Sequence, residues 1–172
     1  MLNAFSFQVG DVMATGVAGS GLGARFGQVR LDDDGRFIKL CLNGEGTILH
    51  GQAVVVKDAL AAESPGTVTA ASAASGIQQV IVGVADLSIA GSAAVGEGFY
   101  AVVAGEATFK TRDTTIVVGD AVTVDASGFA AEADAVGDNA NYVIVGKALS
   151  ANAAYATNTA ASGLTVHING LL

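Results

Sequence analysis

The sequence predicts an all-β fold: a compact β-barrel or sandwich built from two similar β units, with an extended N-terminal arm. The first observation is a strand pattern that occurs twice. Its first copy reads Gly51-Gln-Ala-Val-Val-Val56, Val80-Ile-Val-Gly-Val-Ala85 and Phe99-Tyr-Ala-Val-Val-Ala-Gly105. Its second reads Gly119-Asp-Ala-Val-Thr-Val124, Val143-Ile-Val-Gly-Lys-Ala148 and Leu164-Thr-Val-His-Ile-Asn-Gly170. Gly119 lies 68 positions after Gly51, Gly146 lies 63 after Gly83, and Gly170 lies 65 after Gly105. The second observation is the apolar composition: Ala and Val dominate, with only 7 Phe, 3 Tyr and no Trp. β-Branched side chains are stiff at χ1 and fit a pleated surface. The third is 23 Gly against a single Pro, which points to tight turns and close backbone approaches rather than a Pro-rich linker.

At 172 residues the chain fits one main domain with an arm. The arm spans residues 1–24. The β-rich domain spans 25–172, with the repeat at about 51–105 and 119–170. Within the arm, Phe5-Ser-Phe-Gln-Val9 alternates apolar and polar, and Leu2 adds a further apolar group. Gly16-Val-Ala-Gly-Ser-Gly-Leu-Gly23 follows as a pliable tether. Two readings stay open: an apolar segment on a tether, or an ordinary first strand of the main sheet.

Arg25–Leu31 and Arg36–Leu42 read as strands flanking Asp32-Asp-Asp-Gly35, a strong hairpin signal. The adjacent aspartates lack the spaced oxygen ligands and distal Glu of a calcium loop, so they read as a solvated turn. Asn43-Gly-Glu-Gly46 reads as a further turn and Gln52–Lys57 as a strand. The Ala-rich segment 57–75 contains the turn signature Glu63-Ser-Pro-Gly66, and Thr69–Ser75 is a weak helix candidate. Gln79–Ala85 reads as a fully buried strand. Phe99–Ala104 and Ala107–Thr111 read as a hairpin broken at Gly105-Glu106. The second unit follows, with strands near Asp120–Asp125, Phe129–Glu132, Tyr142–Ala148 and Leu164–Asn169, and a turn at Asp125-Ala-Ser-Gly128. Ser150–Ser162 reads as a long loop, and the C-terminus as docked on the sheet.

Charged residues make up 14% and the net charge is −8. So little charge leaves much neutral surface, which suits burial against other subunits or a partner. Lys and Arg total 8 and never cluster, which argues against nucleic acid as a partner. The N-terminus has no Lys or Arg before Arg25 and carries Asp11, so it does not read as a signal peptide. The uncharged stretches Ser64–Ala85 and Ala148–Leu172 are too rich in Ser, Thr, Asn, Gln and Gly to partition into a membrane. Cys41 is the sole cysteine, on a predicted buried strand, which rules out an intrachain disulfide and fits assembly in the cytoplasm.

Catalytic patterns are sparse. There is no Gly-x-Ser-x-Gly elbow and no Gly-Lys-Ser/Thr phosphate loop. His50 and His167 have no Cys or carboxylate spacing around them that suits a metal. The expectation is a protein without catalytic residues, metal or cofactor.

These residues resemble a known family. A short N-terminal arm precedes a hairpin with Asp34-Gly-Arg-Phe37 at its bend and a Gly-x-x-Val-Val-Val strand. Val-Ile-Val-Gly-Val-Ala and Gly-Asp-Ala-Val-Thr-Val elements follow. The pattern is similar to the small β-rich capsid decoration, or cement, proteins of tailed bacteriophages. It is carried by Phe26–Val56, Val80–Ala85, Ala101–Phe109, Gly119–Gly128 and Val143–Leu149. The resemblance implies a structural virion protein, made in the host cytoplasm, that binds the outer face of an icosahedral shell. It implies the major capsid protein as partner and a homotrimer as the assembled state. It also implies an arm that grips the shell, for which Leu2, Phe5, Phe7 and Val9 are the candidate contacts. The alternative is a head spike or fibre module binding a host receptor or glycan, with Phe99, Tyr100, Tyr142 and Tyr155 as its only aromatic sources. A small β-barrel enzyme is the third reading, and it would need a pocket of convergent titratable groups.

Overall fold

The computed structural model describes residues 8–13, 26–56, 67–70, 81–111, 116–125, 127–133, 144–151 and 162–169. The elements are all strands: β1 (Val29–Leu31), β2 (Phe37–Glu45), β3 (Ile48–Leu49), β4 (Ala53–Val56), β5 (Thr67–Ala70) and β6 (Ile81–Asp86). After them come β7 (Ser92–Ala93), β8 (Gly98–Thr111), β9 (Ala121–Val124), β10 (Ala130–Glu132), β11 (Gly146–Ala148) and β12 (Ser162–Ile168). Among the described residues no helix is long and apolar enough to cross a membrane.

Ten strands form one sheet in the order β1-β2-β5-β4-β6-β8-β10-β9-β11-β12. Two further pairings, β2–β8 and β8–β12, fold this sheet back on itself. The first closes the circuit β2-β5-β4-β6-β8, a five-stranded barrel. The second closes β8-β10-β9-β11-β12 with the same order of connections. In both, one neighbour pair is parallel (β2 with β5, β8 with β10) and the rest are antiparallel. The β8–β10 contact is a single register pair, Ala130 with Thr111. The Thr111 hydroxyl reinforces it by donating to the Ala130 carbonyl at 2.8 Å. Closure removes edges that would otherwise pair with other chains.

The 14-residue β8 belongs to both circuits. Phe99–Ala104 and Ala107–Thr111 are therefore not the two arms of a hairpin. Gly98–Ala104 pairs with β2, Val102–Tyr100 also pairs with β6, and Gly105–Thr111 pairs with β12. Gly105 marks the change of partner, with φ at +102° and the Arg36 backbone 3.2 Å from where a Cβ would sit. A glycine that looks like a turn in sequence is here a local break inside one strand, because strands wait on both sides to continue the ladder.

The repeated Val-Ile-Val-Gly motif has a repeated cause. A Cβ on Gly83 would lie 2.6 Å from the Val102 carbonyl oxygen. A Cβ on Gly146 would clash with the His167 carbonyl oxygen in the same way. Each glycine lets its strand sit against a neighbouring backbone.

Side chains alternate between two apolar clusters. Tyr100 and Val102 join Ile38, Leu40, Val84, Phe109, Leu164 and Ile168 in the larger cluster, which runs through both units. Phe99 and Ala101 join Cys41, Val54, Val82 and Leu87 in the smaller, which β3 and β7 cover through Ile48 and Ala93. All six residues of β6 are buried, as its continuous apolar run predicts. Cys41 is fully buried, and burial pushes its thiol up to about 12.

Two further expectations are corrected. The turn expected at Asn43-Gly-Glu-Gly46 begins later: β2 runs through to Glu45. Asn43 is fully buried because its side-chain amide donates to the Gly46 and Ala93 carbonyls, both at 2.9 Å. Of the helix considered over Thr69–Ser75, Thr69 and Ala70 belong instead to β5, which is bonded on both sides, to β2 and β4, and residues 71–75 lie outside the described residues. The Asp32–Gly35 hairpin and the turn at Asp125–Gly128 stand as expected: Asp32 and Asp125 each bond back to the amides of their own turns. The rest of the loop before Ser162 and residues 170–172 lie outside the described residues.

If the glycine contacts are as tight as this, Gly83→Ala and Gly146→Ala each destabilise the protein by about 1–3 kcal/mol in chemical denaturation. Unchanged midpoints would show that these strands separate freely.

Candidate functional site

The charged chemistry of the first unit converges on Arg36, at the end of the β1–β2 turn. Its Nε donates to Asp32 Oδ2 at 2.7 Å and one terminal nitrogen donates to Asp86 Oδ2 at 3.1 Å. Asp34 lies 3.4 Å from the other terminal nitrogen but is mostly exposed, so it adds little. Asp32 also accepts from the Arg36 and Asp34 backbone amides, at 2.8 and 3.0 Å. Asp86 accepts from the Ser88 hydroxyl at 2.9 Å. Burial alone would lower the Arg36 pKa, but the bonds and charges of Asp32 and Asp86 outweigh it, and the net shift is upward. The guanidinium thus ties the hairpin to the end of β6.

His50 borders this cluster. Its Nδ1 accepts the Leu87 amide at 3.0 Å, so that lone pair is occupied and the ring is neutral. Asp86 Oδ1, 4.0 Å away, is near it without a hydrogen bond. Burial lowers the His50 pKa; Asp86 opposes this, and the net shift is downward.

A groove of about 720 Å³ opens beside the cluster, between Gln8–Val9, Arg30–Asp34, Ser88–Ile89 and Thr108. Asp32 and Asp86 are spent on Arg36 and on turn groups, His50 accepts a backbone amide, and Asp33 and Asp34 are exposed at the rim. Arg30 lies over the Tyr100 ring, 4.5 Å from the centroid. The hydroxyl that stands beside a carboxylate here, Ser88 on Asp86, shares that carboxylate with Arg36. Among the described residues no group of three or more His, Cys, Asp or Glu is placed to hold a metal. His167 is exposed on β12, and His50 sits on the other unit.

The other distinctive surface is apolar. Leu31 is 60% exposed, Phe37 44%, Ile89 57%, Val117 55% and Val118 64%. Leu31 and Phe37 face each other across the β1–β2 ladder. Val117 and Val118 lie beside Leu149 at one end of the second unit, where the Gly119 amide bonds to the Ala148 carbonyl at 2.9 Å. The sequence did not single out these residues, because strand alternation alone does not say which apolar face lacks a cover.

Of the expected arm contacts, Leu2, Phe5 and Phe7 lie outside the described residues. Val9 packs against the larger core cluster. Residues 8–13 belong to the body: Met13 bridges Gly98, and Gly10 accepts from the Ile89 and Ala90 amides. Of the aromatic side chains that a receptor-binding patch would use, Phe99 and Tyr100 are buried. Tyr142 and Tyr155 lie outside the described residues. Comparison with protein-family models, with curated proteins and with solved structures finds no match for this chain.

Two outcomes test the cluster. Arg36→Met strands two nearly buried carboxylates and costs about 3 kcal/mol of stability in urea unfolding. A cost near zero would mean that water already solvates them. For His50, the unfolded ring titrates near 6.5 and the folded ring lower. The unfolded chain therefore binds the extra proton, and stability falls as the pH drops below about 6.5 toward the folded pKa. His50→Gln flattens that part of the stability–pH curve; an unchanged slope would assign the dependence to other groups.

Proposed function

We propose that this protein is a structural virion protein that binds the outside of an icosahedral phage capsid and stabilises the shell. The observation that carries the reading is the surface. Ten large apolar side chains are exposed on the described residues, while the buried charged groups are paired within the fold. Where such side chains adjoin, as Leu31 and Phe37 do across the β1–β2 ladder, they suit contact with protein. The resemblance to capsid decoration proteins in the hairpin and in both repeat units supports the choice of partner. So does the scarcity of basic residues, which disfavours the packaged nucleic acid.

Two closed units give a rigid body for bracing neighbouring shell subunits. Association as a homotrimer would cover part of the exposed apolar surface and present each arm three times over. Repeated contacts of modest strength then sum across a lattice. The major capsid protein is the partner, and the outer capsid surface is the site of action, reached after synthesis in the host cytoplasm. Leu2, Phe5 and Phe7 supply the arm's contacts, and Val9 anchors the arm to the body.

Co-sedimentation with mature shells stripped of accessory proteins tests this directly. Saturable binding at a fixed ratio to the major capsid protein is expected. Removing residues 1–7, which leaves the packed 8–13 segment in place, weakens that binding sharply without lowering the melting temperature. Absence of binding by the intact protein would reject the shell as partner and favour the host-surface reading.

A further inference from the structure

Closing two circuits leaves few sheet edges, and one of them is built to accept a strand. β1 pairs with β2 on one side. The Leu40 amide bonds to the Gln28 carbonyl at 3.0 Å and the Asp32 amide to the Arg36 carbonyl at 2.9 Å. Arg30 pairs with Ile38 between them. Gln28, Arg30 and Asp32 therefore face β2, and the backbone groups of Val29 and Leu31 point the other way. All three β1 residues are exposed. No described strand takes the second edge of β1.

The surroundings give this edge a chemistry. On one face Leu31 and Phe37, 60% and 44% exposed, form an apolar step beside the edge. On the other face the groove begins, with Arg30 folded over Tyr100. The C-terminal end of β1 runs into Asp33 and Asp34, both exposed. An incoming strand would meet apolar contacts at alternate positions and negative charge at one end.

We infer that the edge of β1 that no described strand takes is a strand-acceptor site for an extended segment of the shell protein. That segment has apolar side chains at alternate positions and a Lys or Arg where it meets Asp33 and Asp34. The N-terminal arm of a second copy matches less well, because it has no Lys or Arg before Arg25. Main-chain hydrogen bonds supply the affinity and the flanking side chains the selectivity. The inference rests on the capsid reading but assigns the contact to a different element from the arm.

The test uses the full chain and stripped mature shells. Val29→Pro removes an N–H that no described residue accepts, at a position where an edge strand tolerates proline. The expected result is shell binding weakened about tenfold or more with the melting temperature held. Asp33→Lys should weaken binding and reduce its sensitivity to salt. Hydrogen exchange on the unaltered protein gives a readout that does not depend on any variant. The Val29 and Leu31 amides should exchange freely in solution and become protected on the shell. Binding of the intact protein with both amides still unprotected, or full binding by Val29→Pro, overturns the strand-acceptor site and leaves the capsid reading intact. Failure of the intact protein to bind shells overturns both.

Discussion

The structure depends on β8. One continuous strand closes the first circuit with Gly98–Ala104 and opens the second with Gly105–Thr111. Neither unit has a complete ladder without it. Phe99 and Ala101 on one side and Tyr100 and Val102 on the other feed separate clusters, so the same strand also sets both cores. The larger cluster continues across the junction to Phe109, Leu164 and Ile168. Contacts between units reinforce this: the Lys110 amide bonds to the Gly51 carbonyl at 2.7 Å, and the Ala53 amide to the Gly128 carbonyl at 2.8 Å. Two units that share a strand and a core are expected to unfold together.

Much of this was legible in the sequence where a local pattern had a local cause. The repeated Val-Ile-Val-Gly marks strands whose glycine lies against a neighbouring carbonyl, at Gly83 and Gly146 alike. The Asp32–Gly35 and Asp125–Gly128 turns follow from side chains that bond their own backbone. Misreadings occurred where distant partners override local preference. Gly105 looks like a turn but continues a strand that has partners on both flanks. Thr67-Val-Thr69 carries β-favouring residues beside an Ala- and Ser-rich stretch that blurs the signal, and β2 and β4 make it a strand by bonding it from either side. Asn43 is polar and sits near glycines, yet its amide is used on Ala93, 50 residues away.

The charged cluster was harder to foresee. Arg36 and Asp86 are also separated by 50 positions, and no spacing rule joins them. Once joined, they tie the β1–β2 turn to the end of β6, while His50 beside them accepts the Leu87 amide. A paired charge cluster of this kind holds the turn and the strand end in one geometry. Among the described residues, the exposed apolar side chains and the outer edge of β1 are features that another protein can satisfy. The functional proposal follows from those features.

The central structural claim is that the shared strand makes the two units one cooperative body. Scanning calorimetry tests it most directly. A single transition whose calorimetric and van't Hoff enthalpies agree is the predicted result. Two resolved transitions, or a van't Hoff enthalpy near half the calorimetric value, would contradict it and show two units that fold independently about β8.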